Sequence, residues 1–106
     1  MPLYSGNEFT LKDAIEAMLK EYGLEEKIRE LHISNTWEKM MGKTIHIRTE
    51  KIKLKNRKLY IKVNSSVLKE ELLYARAKIL EIINSEFEKP VADEVILLWN
   101  FKTSPS

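Results

Sequence analysis

Between Lys51 and Val63 the chain alternates twice, and strict period-two alternation admits few folds. In the first run Ile52 and Leu54 fall on one side, with Lys51, Lys53 and Lys55 on the other. In the second, Leu59, Ile61 and Val63 fall on one side, with Lys58, Tyr60 and Lys62 on the other. Successive side chains of a strand point to opposite faces of a pleated sheet, so each run predicts a half-buried strand. Asn56-Arg57 between them reads as a short turn, and the pair as a β-hairpin. Such a hairpin has one oily face and one basic face, and the rest of the chain must cover the oily one.

The flanking segments supply the cover. Thr10 is a good N-cap with Asp13 three residues on, and Leu11, Ile15, Met18, Leu19 and Tyr22 form a helical stripe that Gly23 ends. A second helical pattern puts Leu24, Ile28, Leu31, Trp37, Met40 and Met41 on one face. Ser34-Asn35-Thr36 is poor helix interior and predicts either a break or a fresh N-cap for a short helix carrying Trp37, with Gly42 as the stop. Ile45 and Ile47 lead towards the hairpin, in extended form or in a loop. After the hairpin, Ser65 or Ser66 caps the longest helix, about residues 66–87, whose stripe runs through Leu68, Leu72, Ala75, Ile79 and Ile82. Lys89-Pro90 breaks it. Asp93 to Phe101 is a last strand; its continuous apolar run, Val95 to Trp99, predicts a strand covered on both faces or paired centrally.

At 106 residues the chain is expected to be one domain, ordered over about 10–101, with residues 1–8 as a leader and 102–106 as a polar tail. The order helix, helix, strand, strand, helix, strand predicts an α+β fold, with helices packed on one face of a three-stranded sheet. Leu59, Ile61, Val63, Leu72, Ile79 and Trp99 are expected to share its core. The open face is then the basic one.

Charge sharpens this picture. The net charge is only +2, yet Lys43 to Lys62 holds eight bases and one acid, Glu50, while the remainder holds ten bases against fifteen acids. A basic block on an otherwise acidic domain is the pattern of a polyanion-binding face. Lysines also protect edge strands from aggregation, which accounts for two or three of them and less well for eight bases against one acid. Tyr60 stands among them, available to stack on a base. Trp37 and Trp99 read as core anchors.

Other chemistry is sparse. The absence of cysteine excludes a disulfide framework and a thiolate metal site. His32 and His46 have no metal-ligand spacing, Ser65-Ser66 has no base placed beside it, and three glycines make no phosphate-cradling loop. No enzyme activity and no cofactor are expected. No apolar run approaches the ~18 residues of a membrane span, and no secretory leader pattern opens the chain, so a cytoplasmic location without membrane attachment is expected.

The segments Trp37-Glu38-Lys39-Met40-Met41-Gly42-Lys43-Thr44-Ile45, then Thr49, then Leu59-Tyr60-Ile61-Lys62-Val63-Asn64-Ser65-Ser66, then Glu71-Leu72 and Ile83-Asn84 resemble the DciA-like proteins. Among these the chain is similar to short members of the Bacteroidetes type, over roughly Leu11 to Phe101. The resemblance implies a K-homology-like fold. It also implies a role in the initiation of DNA replication, through DNA binding and loading of the replicative helicase DnaB. The Gly-x-x-Gly loop of K-homology domains that read nucleic acid is missing, which leaves binding to the hairpin. The expected binding residues are Lys43, Arg48, Lys51, Lys53, Lys55, Arg57, Lys58, Tyr60 and Lys62. Two other readings share the same charge pattern: an RNA-binding module, and an adaptor whose basic face meets an acidic protein.

Overall fold

The hairpin forms where the alternation places it, in a computed structural model that describes residues 10–99. Strand β1 spans Thr49–Lys55 and β2 spans Lys58–Val63, paired antiparallel with Leu54 opposite Leu59 and Ile52 opposite Ile61. A third strand, β3 (Glu94–Trp99), runs parallel to β2, so the sheet order is β1-β2-β3 and the more apolar hairpin strand is central. The first nine residues and residues 100–106, which include the expected leader, the end of the last strand and the tail, lie outside the described residues.

Helix α1 (Leu11–Glu21) begins with a reciprocal cap. Asp13 donates its backbone N–H to the Thr10 hydroxyl, and Thr10 donates its own to the Asp13 carboxylate, both at 3.1 Å. It ends in a Schellman motif: Gly23, at φ +70°, donates to the Lys20 carbonyl and Leu24 to that of Leu19. Helix α2 (Glu25–Met41) is continuous, against the expected break. Thr36 bonds back to the His32 carbonyl at 2.9 Å, which satisfies its hydroxyl inside the helix. Ile33 and Trp37, one turn apart and fully buried on either side of that stretch, hold it helical. The core-facing side of α2 is therefore Ile33 and Trp37, with Met40 and Met41 packed alongside, whereas Leu24, Ile28 and Leu31 remain exposed.

A six-residue helix, α3 (Lys43–Arg48), occupies the segment read as extended or loop. Trp37 explains it. Its indole Nε1 donates to the Thr49 hydroxyl at 3.0 Å, and that hydroxyl donates to the Ile45 carbonyl at 2.7 Å. The pair winds the chain into a turn just before β1, with Ile45 against the core and Ile47 in solvent. The long helix after the hairpin is likewise divided, at Ala75 (φ −100°, ψ 12°), into α4 (Ser66–Tyr74) and α5 (Arg76–Asn84). Ser65 caps α4 through Leu68 N–H, and the bend lets Leu72 and Ile79 both reach the sheet. Asn84 ends α5 and ties down the return: its Oδ1 accepts from Val91 and Ala92, and its Nδ2 donates to the Ala92 carbonyl.

The helices cover one face of the sheet, as expected. The core comprises Leu54, Leu59, Ile61, Val63, Val95 and Leu97 from the strands and Ile33, Trp37, Leu72, Ile79 and Ile83 from the helices, with Val91 and Ala92. Trp99 is only half-buried, and β3 is neither central nor covered twice: it lies at the sheet edge, with Leu98 exposed on the open face. The order α3-β1-β2-α4-α5-β3 is consistent with a K-homology-like arrangement. No helix among the described residues is long and apolar enough to cross a membrane. Replacing Leu72 or Ile79 by Ala should destabilise the fold by about 2–5 kcal/mol, read from urea unfolding. A loss well under 1 kcal/mol at both would contradict the packing of α4 and α5 on the sheet.

Candidate nucleic-acid interface

The pleat sends Lys51, Lys53 and Lys55 of β1 and Lys58, Tyr60 and Lys62 of β2 to the face that no helix covers. Register sets Lys51 opposite Lys62, Lys53 opposite Tyr60, and Lys55 opposite Lys58. Two of these three cross-strand pairs therefore oppose like charges, which destabilises a sheet. β3 adds Glu94, Ile96 and Leu98 to the same face, beside Lys58, Tyr60 and Lys62 respectively. Lys51, Lys53, Lys55, Tyr60, Lys62 and Leu98 line a shallow trough of about 360 Å³, with the ring and the leucine among lysines. Successive lysines on β1 are spaced about 7 Å apart. Glu50 approaches Lys62 at 3.8 Å, so one lysine of the row has a carboxylate partner.

The structure does not bring all the expected residues to this face. Lys43 and Arg48 are exposed, but on α3, outside the open sheet face. Arg57 is at the hairpin turn and is engaged there. Its Nε and Nη2 grip the Asp93 carboxylate at 3.0 and 2.9 Å, and Nη1 donates to the Pro90 carbonyl at 3.2 Å. The hydrogen bonds with Asp93 hold the guanidinium above its ordinary value and the carboxyl below its own. Both turn residues have positive φ, +52° at Asn56 and +64° at Arg57, the backbone of a type I′ hairpin turn. The Glu26 carboxylate accepts both of their N–H groups, at 3.0 and 2.8 Å. Glu30 accepts the outward N–H of Leu54 at 2.9 Å. Arg57 thus fastens the turn to the segment that leads into β3, and two acids of α2 fasten it to the helical layer.

Glu26, Glu30 and Asp93 were not legible as hairpin anchors, because their partners are backbone amides or lie more than twenty residues away. Ile96 and Leu98 had part of a signal: period-two reading of β3 puts them on one side together, and the register with β2 makes that the side of Tyr60. His32 lies 3.4 Å from Glu86 and edge-on to Phe87, and His46 lies 3.9 Å from Glu38; each imidazole has one acidic neighbour. Opposite the lysines, α1 and α2 expose a second surface. Leu11, Ile15, Met18, Tyr22, Leu24, Ile28 and Leu31 all stay substantially in solvent, and no residue of α1 is buried.

Fold and face together define a small α+β protein with a basic, uncovered sheet face and an apolar helical side. The family model "Dna[CI] antecedent, DciA" matches residues 10–97, and the chain belongs to the DciA family. No curated protein and no solved structure matches it.

Proposed function

We propose that this chain is a non-enzymatic accessory of the replicative helicase DnaB that binds nucleic acid, DNA in preference to RNA, on the open face of its sheet. Membership of the DciA family ties it to helicase loading in DNA replication. The observation that carries the nucleic-acid half is the opposition of lysines across the hairpin. Protection of an edge requires lysines on β1 alone, yet Lys58 and Lys62 stand on the central strand, directly opposite Lys55 and Lys51. A polyanion laid across the face relieves that repulsion and releases its own counterions. Tyr60 supplies a stacking surface in the middle of the row. The working set is Lys51, Lys53, Lys55, Lys58, Tyr60 and Lys62; Lys43 and Arg48 lie apart from it, and the charge of Arg57 is held by Asp93.

Fluorescence anisotropy with a labelled single-stranded oligonucleotide tests this. Tyr60→Ala should weaken binding by about 1–3 kcal/mol if the ring stacks on a base. An unchanged affinity would assign the ring to packing alone. Deoxy- and ribo-oligonucleotides of one sequence, compared in the same buffer, test the preference for DNA.

The helicase contact falls to the exposed apolar side of α1 and α2, because the sheet face is occupied by nucleic acid. Ile15 and Met18 are about half exposed and belong neither to the core nor to the side chains packed against it. Changing both to Asp should abolish co-elution with the replicative helicase of the same organism and leave oligonucleotide binding unaltered. Co-elution that survives the double change would move the contact elsewhere.

A further inference from the structure

We infer that the chain forms a two-fold dimer by antiparallel pairing of β3 with β3 of a second copy. The two edges of the sheet are treated differently. β1 carries three lysines and a register irregularity between Thr49 and Lys51, and its outward Leu54 N–H is taken by Glu30. These are devices that close an edge to other strands. β3 reads Glu-Val-Ile-Leu-Leu-Trp and has none of them: no lysine, no proline, no irregularity in its register.

The direction of its backbone groups follows from Glu30. Because Leu54 turns its N–H away from β2, Leu54 and Leu59 are a widely spaced pair, and Leu59 turns its own N–H and C=O towards β3. Directions alternate along a strand. Glu94, Ile96 and Leu98 therefore bond back to β2, and Val95 and Leu97 present N–H and C=O outward. Among the described residues nothing bonds to those outward groups.

One register pairs Ile96 and Leu98, the apolar side chains of the strand's open face, with each other. A two-fold axis through Leu97, normal to the sheet, sets Leu97 opposite Leu97 of the second copy as a hydrogen-bonded pair. On the open face it sets Ile96 opposite Leu98 of the second copy, apolar against apolar. Centring the axis on Ile96 instead sets Leu98 against Glu94, an apolar side chain against a carboxylate. The favoured register yields a six-stranded sheet. Both open faces lie on one side of it, with the exposed Leu98 side chains meeting at the middle and the β1 lysines at the two outer margins. This inference rests on the edge and holds whether or not the face binds nucleic acid.

Sedimentation equilibrium and cysteine crosslinking of the full chain test it. The chain mass is 12.5 kDa, and the expected mass is twice that. Leu98→Lys, at an exposed position, should return the mass to that of one chain, because it puts a charge opposite Ile96. The absence of native cysteine makes single thiols unambiguous. Ile96→Cys and Leu98→Cys should crosslink rapidly when mixed and oxidised, and each alone only slowly, since 96 faces 98 across the axis. The wide pairing they occupy suits disulfide geometry. A parent of single-chain mass at the highest attainable concentration would overturn the inference. So would a dimer in which the mixed variants crosslink no faster than either alone, which would place the contact outside β3 even if Leu98→Lys failed to fold.

Discussion

Changing Lys51, Lys53 and Lys55 together to Glu should abolish binding to a single-stranded oligonucleotide while circular dichroism and melting temperature stay near those of the parent. The three ammonium groups are solvated on β1, so reversal costs the fold little. On the face itself the change is large: Lys58 and Lys62 would remain against three new carboxylates beside Glu50 and Glu94. The parent should show the corresponding salt dependence. Each phosphate neutralised on a single strand contributes a slope near −0.7, so roughly four to five contacts imply a loss of several hundred-fold or more for each tenfold rise in salt. The slope should be insensitive to sequence, because lysine reads phosphate and not base edges. If the triple variant bound as well as the parent at low salt, the lysines would be a solubility device, and the face would belong to an acidic protein partner.

Trp37→Ala should destabilise the domain by about 3–5 kcal/mol, a large share of the roughly 5–15 kcal/mol available to a domain of this kind. The indole is 1% exposed and lies where α2, α3 and β1 meet. Truncation leaves a cavity and also unhooks the Thr49 hydroxyl, which in turn holds the Ile45 carbonyl and so α3. Trp37→Phe retains most of the ring volume and should lose less, about 1 kcal/mol of it for the missing hydrogen bond. Thermal or urea unfolding reads both. A loss below 1 kcal/mol for the alanine variant would show that the indole is not the joint described.

What the sequence by itself determined lies where the physics is local. The hairpin strands follow from alternation over a few residues, the start and end of α1 from Thr10, Asp13 and Gly23, and the start of α4 from the Ser65-Ser66 pair, of which the fold uses Ser65. The basic character of the open face comes with the same alternation, since a strand that turns leucines inward must turn its lysines outward. The DciA-like segments were legible too, because residue identity alone carries a resemblance.

Tertiary structure decided the rest. Ser34 to Thr36 and Lys43 to Arg48 have weak local preferences, and burial of Ile33 and Trp37 with the indole bond to Thr49 outweighed them in favour of helix. Ala75 bends a stripe that read as one helix, because α4 and α5 must both lie on a twisted sheet. The apolar run of β3 pointed to a strand covered on both faces or paired centrally; its actual place at an edge depends on which strand pairs with β2, a contact between residues more than thirty apart. Arg57 is the plainest case. In sequence it is one more base in a basic block; in the fold Asp93 and Glu26, 36 and 31 residues away, make its side chain and backbone the fastening of the hairpin. Local alternation specifies which way a side chain points, but what it meets there is set by segments that only the folded chain brings near.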